Sequence, residues 1–159
     1  MIQDSGARRE FGSGAVRDMQ EGKGRCDLLP LTEVSVVMDD LIIARMGAFV
    51  DTADPKWLVE ALQGFCKALY DGEYADMILE VSKHYEEGCL KYGERNWEKG
   101  IPLHCYIDSG VRHYLKWLRG DTDERHDRAF VWNMLGALWT IHNKPELIDI
   151  GGSNGNDAT

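Results

Sequence analysis

The sequence predicts an all-α protein: a bundle of four to five helices with an irregular N-terminal arm and a disordered C-terminal tail. Three observations carry this expectation. Apolar residues recur at helical spacing in several long segments, Asp-Pro and Gly signals punctuate the ends of those segments, and no period-2 strand pattern of useful length occurs. At 159 residues the chain fits one domain with room for a sizeable core. Its expected divisions are an arm at 1–27, a helical domain at 28–145 and a flexible tail at 146–159.

The arm, GARREFGSGAVRDMQEGKGRCD, is rich in glycine and charge and has little periodicity, so it reads as mobile unless it folds over a ligand or a partner. A first helix is expected from about Thr32, a capping residue followed by Glu33, to about Met46. Asp54-Pro55 opens a second, with Trp57, Leu58, Ala61, Leu62, Phe65 and Leu69 as its buried face. A third spans about Tyr74 to Tyr92, with Ile78, Val81, Tyr85, Cys89 and Tyr92 inward. Gly93 to Pro102 reads as a loop, and a fourth helix covers about Leu103 to Arg119, closed by Gly120. Asp121-Thr122-Asp123-Glu124 has the form of a capping box for the fifth, which Pro145 stops. The tail GGSNGNDAT is of low complexity.

Bulk charge narrows the partners. With 27 acidic against 18 basic residues, net charge −9, the chain is not expected to bind nucleic acid generally. A compact anion remains compatible, because a local basic pocket or a bound cation outweighs global charge. Cys26, Cys66, Cys89 and Cys105 form no CxxC pair, so reduced thiols are expected rather than a structural zinc. The start MIQDSGARRE has no apolar core segment, so no signal peptide is expected, and the longest apolar stretch, about Val36 to Val50, is broken by Asp39, Asp40 and Arg45. The expectation is a cytoplasmic protein with no membrane partner.

The fifth helix is the most informative element. Phe130, Met134, Ala137, Leu138 and Ile141 form an apolar stripe that, extended backwards, runs through Asp123, His126 and Asp127 with Asn133 at its edge. Carboxylates and an imidazole at the end of a packed stripe need something to offset their desolvation, which points to a metal or phosphate site. Val131, Trp132, Leu135 and Trp139 make the same helix apolar nearly all round, so it is either central or at a subunit interface, and a homo-oligomer is expected.

Other segments add to this cluster. On the third helix Glu86 borders the apolar stripe, whereas Glu80 and Glu87 sit nearer the solvent face. On the fourth, Asp108 and Arg112 are placed to pair, with Arg119 on the same side and His113 flanking Tyr106 and Trp117. In KYGERNWEKG, the cations Lys91, Arg95 and Lys99 surround Asn96 and Trp97, a mixture that suits either a nucleotide or a tryptophan-anchored turn. Together the pieces suit a cation bridging carboxylates to phosphates: Mg²⁺, with Mn²⁺ as an alternative, while His126 leaves a transition metal open.

At these residues the sequence resembles a known family. The order GAVRDMQEGKGRCDLLP, EEGCLKYGERNWEKG and DSGVRHYLKWLRGDTDERHDRAFVWN is similar to the phage dATP/dGTP diphosphohydrolase N-terminal-domain family, from about Gly6 to about Asn133. That family is related to the MazG-like all-α nucleoside triphosphate pyrophosphohydrolases. The resemblance implies hydrolysis of a purine (deoxy)nucleoside triphosphate to the monophosphate and pyrophosphate, in the service of phage nucleotide-pool modification in the host cytoplasm. It makes 28–145 a nucleotide-binding domain and singles out Glu86, Lys91, Asn96, Trp97, Arg112, His113, Asp123, His126 and Asn133, with Lys23 and Arg25 in the arm.

The expected assignment is therefore Glu86, Asp123 and His126 as catalytic residues, and Glu86, Asp123 and Asp127 as metal ligands. Lys91, Arg95 and Arg112 would neutralise phosphates, Asn96 and Trp97 would contact base or sugar, and Lys23, Arg25, His113 and Asn133 complete the substrate set. MazG-like enzymes use an E-x-x-E followed by an E-x-x-D. Here the first is absent, and the second reads as Asp123-x-x-His126 or Glu124-x-x-Asp127. That departure motivates an alternative: a non-catalytic phage protein that sequesters a host signalling nucleotide.

Overall fold

A computed structural model describes residues 6–151, and its architecture is all-α. Six α-helices are described: α1 (Leu31–Met38), α2 (Leu41–Thr52), α3 (Pro55–Tyr70), α4 (Tyr74–Tyr92), α5 (Leu103–Arg119) and α6 (His126–Asn143). A hairpin of two short antiparallel strands, β1 (Arg8–Glu10) and β2 (Val16–Asp18), pairs Arg9 with Arg17 and precedes them.

The expected first helix is two helices. Asp39 adopts a left-handed conformation (φ 52°) that ends α1, and the next residue, Asp40, caps α2 by accepting from the Ile43 N–H at 2.9 Å. The Tyr114 hydroxyl donates to the other Asp40 oxygen at 2.6 Å, tying this corner to α5. Asp54 caps α3 from the expected position, with Pro55 first in the helix. The capping box expected before α6 does not form. That helix starts at His126 with no side-chain cap, and Asp123 instead holds the His126 ring.

On α3 the expected face is buried at Leu58, Ala61, Leu62 and Phe65, but Leu69 is exposed. Helix α4 has the expected limits with a different inward face. Met77 and Val81 are buried, Ile78 and Cys89 are exposed, and Tyr85 is half-buried. Helix α6 is the central element, touching α3, α4 and α5, and Phe130, Val131, Met134 and Ala137 are sealed from solvent. Its all-round apolar character is thus accounted for within one chain.

Between α4 and α5 the loop folds into a 3-10 turn at Asn96–Lys99. Asn96 clamps the arm to it: its side chain accepts from the Val16 N–H at 2.9 Å and donates to the Val16 carbonyl at 2.8 Å. Beyond α6, Ile148 and Ile150 pack on the core and Asp149 accepts from the His104 N–H at 2.9 Å. Of the expected flexible tail at 146–159, residues up to 151 are described and 152–159 lie outside the described residues.

Candidate functional site

The arm closes one side of a cavity of about 300 Å³ whose other walls are α4, α5 and α6. Six cations line it: Arg9, Arg17, Lys23, Arg112, Lys116 and Arg125. Against them stand four carboxylates, Asp18, Glu87, Asp108 and Glu124. Asp108 sits 2.6 Å from Arg112, and Asp18 bonds Lys91 at 2.8 Å and Arg8 at 3.2 Å. An anionic protein has therefore folded a cationic hollow.

Arg17 is the most exposing detail of its chemistry. The guanidinium lies over the Tyr106 and Trp132 rings, 5.5 Å and 5.4 Å from their centroids, and Nη2 donates to Asn133 at 3.2 Å. Nη1 is sealed from solvent with no hydrogen-bond partner among the described residues, and burial pulls the Arg17 pKa below its ordinary value. A buried charge without a carboxylate costs several kcal/mol, roughly, unless an anion joins it. Asn133, expected to face substrate, is itself buried and lies on this wall.

The polar end of α6 forms a chain of three groups. Asp123 accepts from His126 Nε2 at 2.8 Å, and the His126 and His113 Nδ1 atoms lie 2.9 Å apart. With the Nε2–H given to Asp123, the Nδ1 of His126 is an acceptor. The His113 ring lines the cavity, and its pKa is held well below the ordinary imidazole value by burial and then by His126. The hydrogen bond from His126 lowers that of Asp123.

The structure brings Lys23, Asn96, Arg112, His113 and Asn133 to the cavity wall, with His126 directly behind His113. Not all of these point functional groups at a ligand. Both ends of the Asn96 amide are used on Val16, and Arg112 holds Asp108 and the Gly24 carbonyl, which fixes the arm. Arg25 pairs with Asp27 outside the lining, Lys91 braces Asp18, and Arg95 is exposed beside Glu98. Trp97 packs edge-on against Tyr85 and Trp139, at 5.9 Å and 5.1 Å, so its ring anchors the turn.

The expected metal set does not converge. Glu86 is exposed and lies off the cavity, while Asp127 is bonded by Arg125 at 2.8 Å. Among the described residues the groupings within one ion's reach are His113–Glu124–His126 and Asp121–Asp123–His126. Neither contains Glu86 or Asp127, so these residues do not fit the oxygen-rich shell that Mg²⁺ prefers.

Several lining residues escaped the sequence reading, Arg17, Glu87, Lys116 and Trp132, while Glu124 entered it only as part of a Glu124-x-x-Asp127 motif. For Glu87 a signal existed. Met77, Val81, His84 and Gly88 recur at helical spacing, and an inward face centred on them turns Glu87 toward the cavity and Glu86 away. Arg17 sits in a three-residue strand, where no periodicity could reveal it.

No helix among the described residues is long and apolar enough to cross a membrane. No curated protein and no solved structure matches the chain. One family model, that of dATP/dGTP diphosphohydrolase, N-terminal, matches residues 58–150, more than half of the sequence, and leaves the arm outside the match.

Proposed function

The chain belongs to the dATP/dGTP diphosphohydrolase N-terminal family, and on that premise we propose that it hydrolyses purine (deoxy)nucleoside triphosphates to the monophosphate and pyrophosphate. The observation that carries this reading is Arg17, whose Nη1 is sealed with no hydrogen-bond partner among the described residues, in a cavity lined by six cations. Such a hollow suits a polyphosphate, and the Trp132 and Tyr92 rings on its wall suit a base. Water attacks at phosphorus as the bridging P–O bond between the α and β phosphates breaks. Glu87 takes the proton of that water, and Lys116 helps to balance the charge of the departing pyrophosphate. In this reading the protein serves phage nucleotide-pool modification in the cytoplasm.

The test is incubation of the full chain with each dNTP and NTP, with pyrophosphate quantified. Release from dATP and dGTP, lost in Glu87→Gln while nucleotide binding persists, is the expected result. Nucleotide recovered intact at high enzyme, with Mg²⁺ or Mn²⁺ present, overturns hydrolysis. The scattered Glu86, Asp123 and Asp127 favour a second reading in that event, a protein that sequesters its nucleotide.

A further inference from the structure

We propose that His113, Glu124 and His126 bind a first-row transition-metal dication at the cavity wall, with Asp123 as the carboxylate that orients His126. This deepens the hydrolase reading and rests on it only for the role of the ion, not for its presence. The ligand atoms of the three side chains lie within 4.8 Å of one another. Two separations are specific: 2.9 Å between the imidazole Nδ1 atoms, and 4.0 Å from His126 Nδ1 to Glu124 Oε2.

These separations match coordination geometry. With metal–ligand bonds of about 2.1 Å, neighbouring ligands of an octahedral ion lie ~3.0 Å apart and opposite ones ~4.2 Å. The two imidazoles already sit as neighbours and Glu124 sits close to the opposite position. An ion at bonding distance from both Nδ1 atoms would displace the proton they share and lie to one side of the line that joins them. Asp123 holding Nε2 is the arrangement that fixes a ligating histidine, leaving the Nδ1 lone pair forward. Solvent is excluded from one side, since the His126 side chain is 1% exposed.

The donor set decides the class of ion. Two imidazoles and one carboxylate favour Zn²⁺, Mn²⁺, Co²⁺ or Ni²⁺ over Mg²⁺, which prefers oxygen alone. Three protein ligands leave positions open, and because His113 and Glu124 line the cavity, those positions face the space assigned to the polyphosphate. The other grouping, Asp121–Asp123–His126, is weaker: Asp121 pairs with Arg119 and neither aspartate lines the cavity.

The experiment titrates the EDTA-stripped full chain with Co²⁺, without nucleotide, and follows visible absorption. One equivalent is expected to raise ligand-field bands that Zn²⁺ abolishes. Asp123→Asn is expected to weaken binding about ten- to a hundredfold. His113→Ala and His126→Ala should remove the bands, with far-UV circular dichroism confirming the fold, and His113→Asn serves if the alanine variant does not fold. Bands that persist in folded His113 and His126 variants, or none in the wild type, overturn the site. Cobalt bound through both histidines with every nucleotide recovered intact sinks the hydrolase reading and leaves the site standing. Pyrophosphate release that survives EDTA, with no cobalt bands, sinks the site and leaves the hydrolase reading.

Discussion

Arg17 shows how a single side chain can serve function against stability. Its guanidinium lies over the adjoining Tyr106 and Trp132 rings, yet Nη1 is sealed with nothing among the described residues to donate to. Removing an unpaired buried charge while keeping apolar volume is neutral or stabilising in general. Arg17→Met is therefore expected to hold or raise the melting temperature. The same change deletes the anion partner, and a hydrogen bond to a charged group contributes about 1.5–3 kcal/mol, so nucleotide affinity should fall about ten- to a hundredfold. Calorimetric titration alongside a thermal melt checks both halves, and loss of stability without loss of binding would assign Arg17 a structural role. None of this was visible in the sequence, because an arginine in a glycine-rich arm has no pattern to place it. By contrast, His126 and Asn133 were legible as inward because the long apolar stripe of α6 set their phase.

At the scale of elements, the fold depends on how closely α5 and α6 approach. A Cβ added at Gly136 would run into the Tyr106 ring, whereas one at Gly110 would meet the end of Met134 at 2.5 Å. The first neighbour is a fully buried, rigid ring; the second is a flexible thioether tip that can move. Gly136→Ala is thus expected to destabilise by about 1–3 kcal/mol, the usual range for overpacking, and Gly110→Ala by less. Urea midpoints of the two variants check the order, and an equal loss would mean that Met134 is as confined as Tyr106. Helix limits were legible wherever a local signal wrote them, as at Asp54-Pro55 and Gly120. They failed where a tertiary contact chose between local options. Asp40 became a cap with Tyr114 beside it, and Asp123 left the capping position to hold His126. Helix α4 was misphased by one position, which exchanged Glu86 for Glu87, because Ile78 and Cys89 look apolar but remain at the surface.

The whole molecule is a bundle strapped at both ends by segments whose composition reads as loose. The arm is held by Asn96 on Val16 and by Asp108 on the Cys26 N–H at 2.7 Å, contacts made by residues some eighty positions away that no local pattern announces. At the other end Asp149 reaches back to α5, accepting from the His104 N–H and lying 2.5 Å from its ring Nδ1. Helix α5 has no side-chain cap of its own, so this carboxylate supplies one. The pair has a pH signature. The Asp149 hydrogen bond, followed by that to Cys105, raises the His104 pKa to about 10 from 6.5. A folded-state pKa above the unfolded one means that the stabilisation is complete below pH 6.5 and is lost as pH rises through about 10. Both side chains are partly solvated, so screening limits the contribution to about 1 kcal/mol or less. Asp149→Asn keeps an acceptor for the His104 N–H but removes the charge. Its melting temperature should lie below that of the wild type at pH 6 and converge with it at pH 10.5. A constant gap across that range would show that the strap acts through packing of Ile148 and Ile150 on the core rather than through the charged pair.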